Sequence, residues 1–280
     1  MNPTQTRSNA PRSPLMTRSL RQKGMRRDSD RPIPMKKPHD IIPPLAEGNI
    51  RIVPLGGVEE VGRNMTAIEY AGDIIVVDCG IQFTDAETPG IDYILANTKY
   101  LEDRVSHIKA LVITHGHLDH IGAIPYLITR LGNPPIYTRE FGALMIKKRQ
   151  EEFPHLPPLN FRIMETTDKS SVPITPHLKV KFFGLTHSIP DSTGIIIETP
   201  FGDIVNTGDV RVENENGIPV EKEIEQYKMF KDRNILLFTM DSTGIEKPGF
   251  SPSEAHILKN IEKIVAEVPG RVILATFASQ

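Results

Sequence analysis

Residues 114–120 read Thr-His-Gly-His-Leu-Asp-His, which places three histidines and an aspartate within six positions. An apolar run at 110–113 predicts a short buried strand before them, and the residues at 121–131 predict a helix after them. The chain has nine histidines among 280 residues, so composition does not account for this density. A strand-end loop rich in imidazole and carboxylate groups predicts a divalent metal site, with zinc as the first candidate.

The length and composition predict one large domain or two modest ones. Hydrophobic residues make up 39% of the 280 residues and charged residues 24%, which suffices for a packed core. Residues 1–40 contain ten Lys or Arg and three Asp or Glu, a net of +7. The remaining residues contain 23 basic and 32 acidic side chains, a net of −9. This acidic balance argues against a uniformly basic, nucleic-acid-binding surface.

The first 48 residues are rich in Pro, Arg, Ser and Asn and predict a disordered basic arm. Two interpretations of the arm stay open: salt-dependent contacts with RNA phosphates, or a solvated tail without a specific role. The single cysteine, Cys79, predicts no disulfide framework. No apolar run is long enough for a membrane helix, so the sequence predicts a cytoplasmic protein without a membrane anchor.

Strands alternate with helices along the rest of the chain, which predicts an α/β protein. Strands are predicted at 51–55, 65–70, 74–78, 110–113, 136–138, 161–164, 178–183, 193–198, 202–205, 235–239 and 271–277. Helices are predicted at 93–101, 121–131, 140–152 and 251–268. The last helix begins with Ser251-Pro-Ser-Glu, a typical amino-terminal capping pattern.

Several predicted strands end in a polar residue beside Gly or Ser. Asp78 follows one of them, His187 another and Asp209 a third. A two-metal site needs more ligands than one loop supplies, so the candidates are His115, His117, Asp119, His120, His187 and Asp209. A single metal with fewer ligands is an alternative, and His187 and Asp209 are equally interpretable as turn residues. Asp78 either caps a loop or faces the site.

The motif at 114–122 resembles the signature of the metallo-β-lactamase superfamily. Further stretches resemble one branch of it, the ribonuclease J family of the β-CASP group; they lie at 54–64, 78–80, 187–192, 206–209, 241–244 and 248–254. The resemblance covers about residues 50–280. It implies an αββα sandwich at 49–232 and the beginning of a β-CASP domain at 233–280.

The resemblance also implies a function and roles for single residues. The function is RNA hydrolysis by a hydroxide bound to two zinc ions, or manganese, with endonuclease and 5′-to-3′ exonuclease activity. His115, His117 and His187 would hold one ion, Asp119 and His120 the other, and Asp209 would bridge them. Catalytic roles fall to Asp119, His120 and the orienting acid Asp78. Substrate contacts fall to Ser188, Asp241 and Ser242. Full-length members of the family form dimers or tetramers.

Two departures from the family pattern bear on these expectations. Gly244 stands where the family usually has Asn. The chain ends at Gln280, so we expect a truncated β-CASP domain and an incomplete sandwich, without the histidine that completes the second metal's ligands. Two alternative functions follow: another hydrolase on the same fold that acts on a thioester or lactam, and an inactive RNA-binding chain.

Overall fold

The structure is a computed structural model that describes residues 42–84, 89–167 and 171–276. The chain divides into two units, residues 1–44 and 45–280, and the description below concerns the second. Residues 1–41 of the predicted disordered arm lie outside the described residues. Within the described ranges, no helix has the length and apolarity needed to cross a membrane.

The second unit alternates strands and helices, as predicted. The strands are β1 Ile50–Gly56, β2 Met65–Tyr70, β3 Asp73–Val77, β4 Ile81–Phe83, β5 Tyr93–Leu95, β6 Ile108–Val112, β7 Ile136–Thr138, β8 Phe161–Ile163, β9 Val172–Pro173, β10 Lys179–Gly184, β11 Thr193–Thr199, β12 Gly202–Asn206, β13 Asn214–Glu215, β14 Ile218–Pro219 and β15 Ile235–Thr239. The α-helices are α1 Lys99–Glu102, α2 Leu118–Ile121, α3 Ile124–Leu127, α4 Glu140–Gln150, α5 Glu221–Tyr227 and α6 Glu254–Glu267. Short 3-10 helices cover Val105–His107 and Lys228–Phe230.

Two mixed sheets form the middle of this unit. One has six strands in the order β1-β2-β3-β6-β7-β8, and the other has five in the order β15-β12-β11-β10-β9. An apolar core that includes Ile75, Val77, Phe182 and Ile195 lies between the sheets. A second core lies between the six-stranded sheet and α1 to α4, and a smaller one joins the five-stranded sheet to residues 227–230. The predicted αββα arrangement is confirmed.

Strand β3 shows why the sheets stack in this way. Its side chains alternate, so that Ile74 and Val76 pack on the helical side while Ile75 and Val77 pack between the sheets. All four are at most 2% exposed, as the continuous apolar run predicts. Burial of each such side chain contributes about 1.5–3 kcal/mol relative to exposure. Strand β3 is therefore held rigidly between two apolar layers, and it fixes the position of Asp78, which follows it.

Two predicted helices are wrong in part. The prediction at 121–131 becomes α2 and α3, because neighbouring loops take the carbonyls that a continuous helix would use: Asn64 N donates to Asp119 O, and Cys79 N donates to His120 O. Pro125 also lacks the N–H of a helix interior. The helix predicted at 93–101 begins only at Lys99, because Tyr93–Leu95 pairs with β4 instead.

The carboxy-terminal elements differ from prediction in two places. Residues 271–276 form no strand, and Ile273 and Leu274 are 82% and 71% exposed, so the predicted strand is wrong for these residues; residue 277 lies outside the described part. Helix α6 begins two residues later than predicted, because Ser253 rather than Ser251 caps it, with Ser253 Oγ accepting from His256 N. Strand β15 pairs in parallel with β12. The proposed domain boundary at 232/233 stays a prediction.

Candidate metal centre

The strand ends of both sheets meet at one place. Strands β3 and β6 are parallel, so their carboxyl ends deliver Asp78 and the loop 114–120 to the same edge. Strands β10 and β12 are both antiparallel to β11 and therefore end together, where they deliver His187 and Asp209. The backbone N–H and the hydroxyl of Thr193 both donate to Thr114 O, at 3.1 and 2.8 Å, and so join the two edges.

Three histidines and one aspartate form what we call the first ligand group: His115, His117, His187 and Asp209. One nitrogen or oxygen from each lies within 4.8 Å of the others. His117 Nδ1 is 3.0 Å from His115 Nε2 and 3.2 Å from His187 Nε2. Asp209 Oδ2 is 3.7 Å from His187 Nε2. Ligands about 2.1 Å from one tetrahedral ion lie roughly 3.4 Å apart, so these spacings suit a shared cation.

A second ligand group consists of Asp119, His120 and Asp209. His120 Nε2 lies 3.5 Å from Asp119 Oδ2 and 3.1 Å from Asp209 Oδ1. The two oxygens of Asp209 therefore face different groups, because its Oδ2 faces His187. Such a carboxylate is placed to connect two cations.

The histidines of the first group favour the neutral form. Burial is the main cause that lowers the pKa of His115 well below its usual value, and neighbouring histidines add to it. Burial likewise lowers the pKa of His117 and His187. A neutral imidazole has the free lone pair that a metal needs, whereas a protonated one does not. These three side chains are therefore ready to bind a cation at neutral pH.

His120 differs because carboxylates surround it. Its burial favours the neutral form, but Asp78, Asp119 and Asp209 outweigh burial and raise the pKa of His120 well above its usual value. Burial opposes the charged form of Asp119 and Asp209 too, yet His120 holds the pKa of both carboxyls below the usual range. The three carboxylates thus favour the protonated form of His120 while no cation is bound.

Asp78 orients His120 from behind. His120 Nδ1 donates to Asp78 Oδ2 at 2.8 Å, which leaves Nε2 facing the second ligand group. The same carboxylate accepts from Thr114 N at 2.8 Å and from the Thr114 hydroxyl. Asp78 is 4% exposed and has a φ of +59°, a left-handed conformation that is uncommon outside glycine and asparagine. The loop beyond it also packs tightly, since a Cβ on Gly80 would lie 1.5 Å from Asp119 O.

A cavity of about 600 Å³ opens onto the second ligand group. Residues 56–62 and Asn64 line one wall, and residues 239–247 line another. Its ionisable lining is mostly acidic: besides His120 and Lys247, it contains seven carboxylates, Glu59, Glu60, Asp78, Asp119, Asp209, Asp241 and Glu246. Without cations, this cavity would repel a phosphate.

Comparison with known proteins agrees with this arrangement. The sequence matches the family described as the metallo-beta-lactamase superfamily over residues 58–233, more than half of the chain. The chain belongs to the metallo-β-lactamase superfamily. A solved structure of a protein of unknown function from Enterococcus faecalis shares this fold, with a TM-score of 0.53 and 18% identity over 79% of this chain and 58% of that one.

Curated relatives of this metallo-β-lactamase chain carry the name ribonuclease J. The one from Mycoplasma genitalium is 42% identical over 231 residues, which are 82% of this chain and 40% of that protein. The one from Thermus thermophilus is 34% identical over 240 residues, 83% of this chain and 41% of that protein. The resemblance to ribonuclease J is confirmed over this region. The chain spans about two fifths of the length of these relatives.

The metallo-β-lactamase fold brings most of the predicted site residues together. The six predicted ligands form the two groups, and Asp78 lies behind them. Asp241 and Ser242 line the cavity. Ser188 does not: its side chain is exposed and is not part of the cavity lining.

Sequence reasoning assigned no role to three residues that the structure places around the centre. Asn64 Nδ2 lies 3.1 Å from His120 Nε2. Asp191 accepts from Phe141 N in the first turn of α4, at 3.2 Å, and so anchors the loop that follows His187. Glu223 accepts from the hydroxyl of Thr186. Asn64 and Asp191 lie inside the stretches that resemble ribonuclease J, but Glu223 carries no sequence signal.

Proposed function

We propose that this chain carries a two-cation centre that hydrolyses RNA phosphodiester bonds. The observation that carries the proposal is the pair of ligand groups that share Asp209, together with relatives named ribonuclease J. A centre of this kind suits phosphodiester hydrolysis, because two cations can stabilise both the attacking and the leaving oxygen. Endonuclease and 5′-to-3′ exonuclease cleavage of RNA in the cytoplasm are both within the proposal.

The donor set fits zinc. The first ligand group offers three neutral imidazoles and a carboxylate, a combination of nitrogen and oxygen atoms that zinc accepts in tetrahedral sites. Manganese accepts the same atom types and is the alternative metal. When bound, the cations would lower the pKa of a water molecule and polarise the phosphodiester.

The chain's own residues have distinct parts in this proposal. His115, His117 and His187 would hold the first cation, Asp119 and His120 would hold the second, and Asp209 would contribute to both. Asp78 fixes the orientation of His120 through the 2.8 Å hydrogen bond to Nδ1. Release of the Nε2 proton of His120 must accompany metal binding, since that nitrogen then donates its lone pair.

The acidic cavity gives the cations a further role. Its ionisable lining contains seven carboxylates against one lysine and His120, so an excess of negative charge repels an RNA phosphate until cations are added. Asp241 and Ser242 also line the cavity and are the proposed substrate contacts. RNA binding in this cavity is therefore expected to depend on the metal.

The test is RNA cleavage by the full 280-residue chain. A 5′-labelled single-stranded RNA is incubated with Zn²⁺ or Mn²⁺, and separately with a chelator. We expect cleavage only with metal, and a loss of at least about 100-fold in His117→Ala, which removes a ligand of the first group. His256→Ala, which changes an exposed histidine on α6, is the matched control.

The outcomes separate the candidate functions. Equal cleavage by the chain and by His117→Ala would show that the metal mechanism is wrong. Metal-dependent RNA binding without cleavage would instead support an RNA-binding chain. Hydrolysis of a thioester or lactam, with RNA left intact, would support a different hydrolase on the same fold.

A further inference from the structure

His187 lies in a loop that leaves the five-stranded sheet and returns to it. Leu185 N donates to Ser192 O at 3.1 Å, which closes the loop at its base. Between these two residues, His187 Nε2 lies 3.2 Å from His117 Nδ1. Ligands of one tetrahedral ion lie roughly 3.4 Å apart, so His187 can share an ion with His117 only while the loop keeps this spacing. The position of the loop is therefore part of the metal centre.

Asp191 fixes the far side of this loop by capping helix α4. Its Oδ2 accepts from Phe141 N, in the first turn of the helix, at 3.2 Å. Arg139, the residue before the helix, is not among the usual capping residues Ser, Thr, Asp and Asn. A carboxylate at a helix amino terminus pairs with a free N–H and interacts favourably with the helix dipole. The cap of α4 thus comes from a residue 50 positions beyond Phe141 in the chain.

Arg139 holds the other oxygen of the same carboxylate. Its guanidinium donates to Asp191 Oδ1 at 3.3 Å and to Met164 O at 2.6 Å, and it also pairs with Glu165. The side chain of Asp191 is 30% exposed, whereas that of Glu165 is 60% exposed. Asp191 therefore lies between a helix N–H and a fixed cation, while Glu165 pairs with the same arginine from the surface.

The backbone of Asp191 is shaped for this contact. Its φ is +58°, in the left-handed region that Asp and Asn enter more readily than other residues with a side chain. The turn leads back into β11, whose first residue, Thr193, donates from its N–H to Thr114 O. The carboxylate and the turn together direct the chain from the loop of His187 into the sheet.

Helix α4 contacts the other histidine loop as well. A Cβ on Gly116, the residue before His117, would lie 3.1 Å from Met145 Cγ on α4 and 3.5 Å from Ile189 Cδ1. Gly116 therefore packs against the helix and against the loop of His187 at once. Ile189 is buried in this contact. One helix thus supports both loops, and its attachment to each loop sets the distance between their imidazoles.

We propose that Asp191 is a positioning residue for the cation of the first ligand group. Its bond to Phe141 N holds the loop so that His187 Nε2 reaches the same ion as His117 Nδ1. This inference rests on the two-cation centre proposed above. Asp191 does not bind the ion itself and acts through the backbone that joins it to His187.

The experiment is a Zn²⁺ titration of the metal-free 280-residue chain against a chromophoric competitor. The unaltered chain is expected to bind two equivalents. Asp191→Ala should weaken one of them by about 10-fold, the lower end for outer contacts, because the effect passes through the backbone. Asp191→Asn keeps an oxygen for Phe141 N and should bind both equivalents like the unaltered chain. Glu165→Ala, which removes the other carboxylate partner of Arg139, is the matched control.

Two further measurements test the route of the effect. If Asp191 acts through His187, Asp191→Ala should cause no further loss once His187→Ala has removed the imidazole, so the two changes are not additive. Amide hydrogen exchange in chelator gives a readout without metal. The N–H of Leu185, which closes the loop, should exchange faster in Asp191→Ala than in Glu165→Ala.

The outcomes separate a positioning role from a general structural one. Unchanged affinity for both equivalents in Asp191→Ala would overturn the role of Asp191 and leave the two-cation centre intact. Additive losses in the double variant, or a loss that Asp191→Asn does not restore, would also overturn it. Fewer than two equivalents in the unaltered chain would overturn the two-cation centre, and this inference with it. If Asp191→Ala does not fold, Asp191→Gly takes its place, because glycine adopts this φ without strain.

Discussion

His120 Nδ1 donates a hydrogen bond to Asp78 Oδ2 across 2.8 Å, and both side chains are almost fully buried. The bond fixes which nitrogen of His120 faces the second ligand group. It also ties the end of β3 to the loop after β6, because Asp78 accepts from Thr114 N as well. One carboxylate thereby supports the fold and the centre together.

The Asp78→Ala variant should lose stability and metal affinity together. Removal of the carboxylate leaves the buried Thr114 N–H without its partner and removes the partner of His120 Nδ1. We expect a loss of about 2–4 kcal/mol in the free energy of unfolding and about 10- to 100-fold in affinity for the second zinc. Urea denaturation and zinc titration measure the two effects.

A matched control for this variant is Asp73→Ala, at the start of the same strand. Asp73 faces Lys109 at 3.6 Å in a partly exposed pair, which contributes about 0–1 kcal/mol. If Asp78→Ala were no less stable than Asp73→Ala, the structural role assigned to Asp78 would be wrong.

The metal-free chain should lose stability as pH falls from about 7 towards 5. The pKa values of His115, His117 and His187 are lowered by folding, chiefly through burial, so these side chains take up protons on unfolding once the pH is below the ordinary value near 6.5. Uptake of protons by the unfolded chain makes its stability decrease with acidification. Three histidines act in this direction in that window.

His120 acts in the opposite direction and at higher pH. Because folding raises its pKa, its contribution is complete below about 6.5 and is lost as pH rises through the folded value. Stability of the metal-free chain should therefore be greatest near neutral pH. Urea midpoints in chelator at pH 5, 6, 7 and 8 test this, and a midpoint that rises on acidification would contradict it. The exposed-residue variant His256→Ala should keep the same profile.

The layered fold was predictable from the sequence because continuous apolar runs mark its central strands. Apolar runs such as 74–77 are typical of strands buried on both faces, and polar residues directly after such runs converge wherever the strands end at one edge. That reasoning alone brought His187 and Asp209 beside the loop 114–120, which lies far from both in the sequence. The assignment of these residues as metal ligands stays a prediction.

The features that the sequence did not predict depend on contacts between distant loops. The break between α2 and α3 arises because Asn64 and Cys79 take carbonyls from residues 119 and 120. Periodicity cannot reveal this, since the competing donors lie about 40 to 55 positions away in the chain. The same contact puts Asn64 next to His120, and the Gly-rich character of its loop gave no indication of that neighbour.

Thr186 and Glu223 connect α5 to the metal centre. Glu223 is 1% exposed, and its carboxylate accepts from the hydroxyl of Thr186, the residue before His187. Arg211 N also donates to Thr186 O at 2.8 Å, so Thr186 joins the loop of His187 to the loop of Asp209. The carboxylate should therefore position both ligands through Thr186.

A double-mutant cycle measures this link. Thr186→Val alone leaves the buried carboxylate of Glu223 without its hydroxyl donor, which should cost about 1–3 kcal/mol. Thr186→Val with Glu223→Leu removes both polar partners and should cost less than the sum of the two single changes, with a coupling of about 0.5–3 kcal/mol. Urea denaturation of the four proteins gives the coupling free energy, and zinc titration should show a weaker first equivalent in Thr186→Val.

Additive free energies of unfolding would mean that the two side chains act independently. Glu225→Leu, an exposed position on α5, provides the control for helix effects.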